Sequence, residues 1–204
     1  MKRNDFNDDF SQLRLEITEK LRNMKKKVEQ KISTLSQNDI RIIDSVQKLS
    51  RELLELETTA STYLLNRLLS KYTKCSNELS LAIHRLSLKR HGALFVIEAN
   101  DPVAPLIQGG VPINAIITSQ LLESIFHPDS LLQEGAVLIQ SDVIVSASNT
   151  LPVTNQIFWD RVADIRELSA IGLSEQSDAL IILITDRGST YFSLEGNLFP
   201  FSVS

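Results

Sequence analysis

After residue 91 the chain has no lysine, and its only arginines are Arg161, Arg166 and Arg187. A guanidinium offers a planar fork of N–H donors that matches carboxylate and phosphate oxygens, so an anion would be held at these positions. They share residues 92–204 with 13 aspartates and glutamates, a balance of −10, whereas residues 1–91 hold 18 lysines and arginines against 12 acids, a balance of +6. A triphosphate is met by cations, by a metal or by aligned backbone N–H groups. An acidic half with three arginines is poorly equipped for one unless a divalent metal helps. The same balance argues against nucleic acid as its partner. The charge split also suggests two parts with different jobs that attract one another, within a chain or between chains; a helical half that simply uses lysine on its wet face is the other reading.

The remaining reactive side chains form no recognisable catalytic set. Cys75 is the only cysteine, and His84, His91 and His127 are scattered, which excludes a thiol cluster and a histidine-rich metal site. Phosphate-binding glycine loops, a dinucleotide fingerprint, an HExxH helix and a GxSxG elbow are all missing from the sequence. Glu175 reads as a metal ligand or as a structural carboxylate. Trp159 reads as a core or oligomer contact rather than a ligand platform, and His91 as structural.

The elements that must position these residues fall into two textures. Residues 1–91 contain neither glycine nor proline. Phe10, Leu13, Ile17, Leu21, Met24, Val28, Ile32 and Leu35 recur at three- and four-residue steps, which predicts a helix over 8–35 with the seam of an antiparallel pair or coiled coil. Lys25-Lys26-Lys27 falls on its wet side. Ser36-Gln37-Asn38-Asp39 breaks the pattern with capping residues, and a second helix follows over 39–70, then a shorter one over 75–88. Beyond Gly92 the runs become strand-sized: 93–98, 135–139, 143–147, 180–185 and 190–194, with helices expected over 117–126 and 157–168. The expected fold is therefore α/β (α+β): a helical hairpin over residues 1–70, followed by a domain with a mixed sheet over 71–204. With 43% apolar and 23% charged residues, no long apolar run and no visible secretory signal, a soluble cytoplasmic protein is expected, with no membrane partner.

The second half resembles the diadenylate cyclase domain. The likeness is carried by Arg90-His91-Gly92-Ala93-Leu94-Phe95-Val96-Ile97-Glu98, Gly110-Val111-Pro112-Ile113-Asn114-Ala115, Leu121-Leu122-Glu123-Ser124-Ile125-Phe126-His127-Pro128 and Leu132-Gln133-Glu134-Gly135-Ala136-Val137-Leu138-Ile139. Its most specific block is Ser169-Ala170-Ile171-Gly172-Leu173-Ser174-Glu175 with Ser177-Asp178-Ala179-Leu180. The first half is similar to the two-helix region of the soluble, sporulation-associated type. The resemblance implies a central sheet wrapped by helices. It implies condensation of two ATP to cyclic di-AMP and two diphosphates, Mn²⁺ or Mg²⁺ as cofactor, and oligomers.

Carried over position by position, the family's Asp-Gly-Ala becomes Glu134, Gly135 and Ala136, with Glu134 the implied metal ligand. The implied nucleotide-binding positions are Leu151, Pro152, Arg166, Ser174, Thr185 and Arg187. Several of these depart from the family. Glutamate replaces the catalytic aspartate, and a shift of about 1 Å can cost roughly 100-fold in rate. Arg-His-Arg reads Arg166-Glu167-Leu168, and Ser-Glu-Glu reads Thr185-Asp186-Arg187. Phosphate loses a cation and gains an anion, and the metal loses a carboxylate to an arginine. These changes point to weak or absent catalysis in a nucleotide-binding, regulatory or oligomerising paralogue that needs no cofactor. A working cyclase built on Glu134 with Arg166 and Arg187 is a second reading, and a purely structural assembly protein a third.

Overall fold

A computed structural model describes residues 5–34, 41–156 and 163–201. Two compact units divide the chain, Met1–Tyr63 and Leu64–Ser204. The first is built from α1 (Asp5–Thr34) and most of α2 (Arg41–Leu69). Lys27 Nζ reaches both carboxylate oxygens of Glu52 of α2 at 2.7 Å while staying exposed, like Lys25 and Lys26. The expected apolar seam is only partly closed. Leu56 is buried, but Leu21, Val28 and Ile32 of α1 and Ile43, Val46 and Leu53 of α2 stay exposed. Two helices can cover one stripe of each other and no more, so the flanks stay open. The capping segment at 36–39 lies outside the described residues.

The second unit is organised by a seven-stranded sheet. Its strands are β1 (Ala93–Ile97), β2 (Val111–Ile116), β3 (Ala136–Gln140), β4 (Val143–Asn149), β5 (Leu180–Ile184), β6 (Thr190–Leu194) and β7 (Asn197–Phe201), in the order β2-β4-β3-β1-β5-β6-β7. Only β1 and β3 pair in parallel. Because β1 and β5 are central and covered on both faces, every residue in them is buried, which is why they read as unbroken apolar runs. Phe95, Ile97, Val137, Ile182 and Ile184 point to one layer with the end of α2, α3 (Ser76–Lys89) and α4 (Ser119–Ile125). Leu94, Val96, Leu138, Ile181 and Leu183 point to the other, against Ala170 and Leu173 of α5 (Ile165–Ser174). The mixed sheet wrapped by helices is thus the expected one.

Three local features differ from the sequence reading. β2 and β7 were not expected as strands; both are sheet edges, and each carries a proline, Pro112 and Pro200. Of the helix expected over 157–168, residues 157–162, with Trp159 and Arg161, lie outside the described residues; the described helix α5 starts at Ile165 and continues to Ser174. Gly172 does not stop this helix. A Cβ there would stand 2.5 Å from the Pro152 carbonyl oxygen and from the Thr154 nitrogen, so glycine is what lets residues 152–154 cross α5 at backbone contact.

Candidate functional site

The strand register collects the expected site residues. Ala93 pairs with Ile184, Phe95 lies beside Val137 in parallel, and Ala136 pairs with Asn149. The starts of β1 and β3 and the ends of β4 and β5 therefore share one end of the sheet, which we call the Glu134 end. There Glu134 is exposed just before β3. Gly135 has φ +81°, and a Cβ on it would come 2.6 Å from the Asn149 carbonyl oxygen. Only glycine turns the chain into β3 so tightly, and the turn sets the position of the Glu134 carboxylate. Ala136 is buried, and its carbonyl accepts from Asn149 Nδ2 at 2.8 Å, while Ser146 Oγ donates to Asn149 Oδ1 at 2.9 Å. Leu151 is buried where β4 leaves the sheet, followed by Pro152.

The opposite wall comes from the start of α5 and the β5–β6 turn. Arg166 Nη1 donates to Asp186 Oδ1 at 2.7 Å. Glu167 is buried in the first helical turn, and the half-buried Leu168 gives its carbonyl to the Thr154 N–H at 3.1 Å. Thr185 shapes the turn: its Oγ1 accepts from the Ser189 N–H at 3.1 Å, and its carbonyl accepts from the Gly188 N–H at 2.9 Å. Arg187 is exposed at the tip and makes no ion pair among the described residues. This end thus offers the exposed carboxylates of Glu134 and Asp164, one exposed arginine and one arginine in an ion pair, which suits a ligand carrying both anionic oxygens and a cation.

Ser174 stands apart. Eight residues of α5 separate it from Arg166, about 12 Å along the axis. It is 2% exposed, and its hydroxyl contacts Ser193 Oγ at 2.7 Å and accepts from the Gly196 N–H at 3.1 Å. That hydroxyl is committed to joining α5 to the β6–β7 turn at the other end of the sheet. The neighbouring Glu175 accepts from Thr154 Oγ1 at 2.8 Å and from Gln156 Nε2 at 2.6 Å. Among the described residues no cluster of three metal-ligating side chains occurs. Mg²⁺ is commonly held by one or two carboxylates plus substrate phosphates, and Glu134 fits that role.

Sequence reasoning missed a cleft of about 650 Å³ on the α3–α4 face, lined in part by Arg85, Lys89, Glu123 and His127. Glu123 accepts from Arg85 at 2.9 Å and from Lys89 at 2.6 Å, and these bonds, that of Lys89 foremost, hold its carboxyl below the usual range. His91 and His127 meet edge to face at 5.6 Å; partial burial, then the charge of His127 and Lys89, lowers the His91 pKa. Two charged helix residues three or four apart on α3, as Arg85 and Lys89 are, were the available signal, but their partner on α4 was not readable.

Comparison with known proteins decides the family. A family model described as the DisA bacterial checkpoint controller nucleotide-binding domain matches residues 80–197, and one described as the N-terminal region of diadenylate cyclase CdaS matches residues 6–72. The chain belongs to the diadenylate cyclase family. It is 41% identical over 172 residues to diadenylate cyclase CdaS of Bacillus thuringiensis, covering 84% of this chain and 86% of that protein. It is 35% identical to cyclic di-AMP synthase CdaS of Bacillus subtilis, covering 83% and 82%. A solved structure titled a hypothetical membrane spanning protein from Bacillus cereus superposes with TM-score 0.80 at 37% identity, covering 94% of this chain and 95% of that one. Among the described residues of this family member, no helix is long and apolar enough to cross a membrane. Its second unit corresponds to the family's nucleotide-binding domain.

Proposed function

We propose that this diadenylate cyclase family member binds adenine nucleotide with weak or no turnover to cyclic di-AMP, and acts as a regulatory or assembling paralogue in the cytoplasm. The observation that carries this reading is the composition of the Glu134 end. By the resemblance, Gly135, Ala136, Leu151 and Pro152 match the family's motifs while Glu134, Glu167, Leu168 and Arg187 depart from them. A divalent metal bound there would neutralise phosphate charge and lower the pKa of the attacking hydroxyl. Glu134 would hold it, Arg166 and Arg187 would bind phosphate oxygens, and Leu151 with Pro152 would pack the base. The buried Glu167 adds negative charge next to that phosphate position and weakens binding. Ser174 supports α5 and does not touch the ligand in this reading.

The exposed apolar residues on α1 and α2, together with the charge of opposite sign in the two halves, support assembly with further copies or with active relatives. The test is one sample of the full chain incubated with ATP and Mn²⁺. Cyclic di-AMP is read by chromatography and ATP affinity by calorimetry. Micromolar to millimolar binding with little or no product is the expected result. Sustained product that Glu134→Gln abolishes would replace this reading with a working cyclase on a shifted site. Neither binding nor product would leave assembly alone, and salt-sensitive oligomers would then be its signature.

A further inference from the structure

We propose that Asp186 is a built-in competitor for Arg166: it holds the guanidinium in the free protein and yields it to a phosphate oxygen of an incoming nucleotide. This rests on the nucleotide-binding reading above. Three observations support it. The pair has a single short contact, Nη1 to Oδ1 at 2.7 Å, rather than two parallel ones. The Arg166 side chain is 20% exposed and held by α5, whereas Asp186 is 73% exposed on the β5–β6 turn, so only the acid is in water. Gly92 leaves the meeting point open: a Cβ there would lie 2.1 Å from Asp186 Oδ1 and 2.3 Å from Arg166 Nη1.

The exchange conserves charge pairing. Arg166 passes from a carboxylate to a phosphate, and Asp186 passes into water, which it already faces. A pair whose acid stands largely in water is screened on that side and contributes little, so breaking it is easy. It still counts at this end of the sheet, where Arg166 and Arg187 stand against Glu134, Asp164, Glu167 and Asp186. Asp186 is therefore a positioning residue that sets how tightly a bare polyphosphate is held.

The experiment titrates the full chain with ATP by calorimetry, once in EDTA and once in Mn²⁺, using wild type, Asp186→Asn, Asp186→Glu and Arg166→Gln. Asp186→Asn is expected to tighten binding about fivefold, the order set by an exposed ion pair. Asp186→Glu should restore wild-type affinity, because it restores the competing charge. In a further variant that combines Arg166→Gln with Asp186→Asn, the Asp186→Asn change should have no effect beyond that of Arg166→Gln alone. Measurable wild-type binding that Asp186→Asn leaves equal or weaker in both conditions would overturn the competitor and leave nucleotide binding standing. No binding by any variant in either condition would overturn both.

Discussion

The two ends of the sheet in the second unit use carboxylates in opposite ways. At the end away from Glu134, three acids are saturated by the protein itself, while Asp101 and Glu195 face solvent. Asp178 accepts from Asn100 Nδ2 at 2.8 Å and from the backbone N–H groups of Asn100 and Asp101, both at 3.1 Å. Asp142 accepts from the Lys74 N–H at 2.7 Å and from Thr73 Oγ1 at 3.0 Å, and Glu98 from the Val103 N–H and Gln140 Nε2, both at 2.9 Å. At the Glu134 end, Glu134 and Arg187 are exposed, and Arg166 meets a single oxygen of the solvent-exposed Asp186. A carboxylate closed by N–H donors builds the fold, and one left open is available to something outside it. The same strand connections produce both, so the difference lies in the loops.

The strongest way to break this division is at Gly172, where residues 152–154 pass over α5 on their way from one end to the other. Gly172→Val would force side-chain carbon into backbone atoms of that segment. A loss of about 3 kcal/mol in urea denaturation is expected, at the upper end for overpacking, and binding at the Glu134 end should fall with it. Ser174→Ala should cost about 1–2 kcal/mol, because it strips a buried hydroxyl from Ser193 and the Gly196 N–H. ATP affinity of the folded variant should not change. A clear loss of affinity at wild-type stability would return Ser174 to the nucleotide.

Acid sharpens the same comparison. Asp142, Asp178 and Glu78 all have carboxyl pKa values below the ordinary range. The causes are, first, the Lys74 N–H at Asp142, the Asn100 amide at Asp178 and the Ser119 N–H at Glu78. A carboxyl whose folded pKa is depressed stabilises the fold above its unfolded value, near 4, and that contribution disappears as pH falls through the folded values. Urea midpoints should therefore hold from pH 7 to about 5 and fall below about 4. In Asp178→Asn the acid-dependent fall should be shallower, because one contributor has gone.

How much of this was legible depends on what each residue reports. β1 and β5 were visible because burial on both faces leaves runs such as Leu180-Ile181-Ile182-Leu183-Ile184. β2 and β7 were not, because an edge strand needs no apolar run and tolerates Pro112 and Pro200. The expected helix ended at 168, whereas α5 continues through Gly172, a glycine that the crossing segment explains. The Glu134 end was legible through the motifs that carry the family resemblance. The Arg166–Asp186 pair was not, since it joins residues 20 apart and depends on the β5–β6 turn and on Gly92. Ser174 was legible as a motif residue, but its bonds to Ser193 and the Gly196 N–H, residues about 20 positions on, were not.

The smallest effect on the fold should come from the residue with the largest role in the proposed site. Glu134 is exposed, and no side chain has to stay where it is because of it. Glu134→Gln should leave stability within about 0.5 kcal/mol, as for a surface substitution, while ATP affinity in Mn²⁺ falls several-fold through loss of the metal's carboxylate. Asp178→Asn should do the reverse, lowering the melting temperature while ATP affinity stays at wild type. Melting curves and calorimetry on the two variants side by side therefore test the division itself. If both variants shift the same observable, the two ends are not functionally distinct. If they separate, the open carboxylate belongs to the ligand and the closed one to the fold.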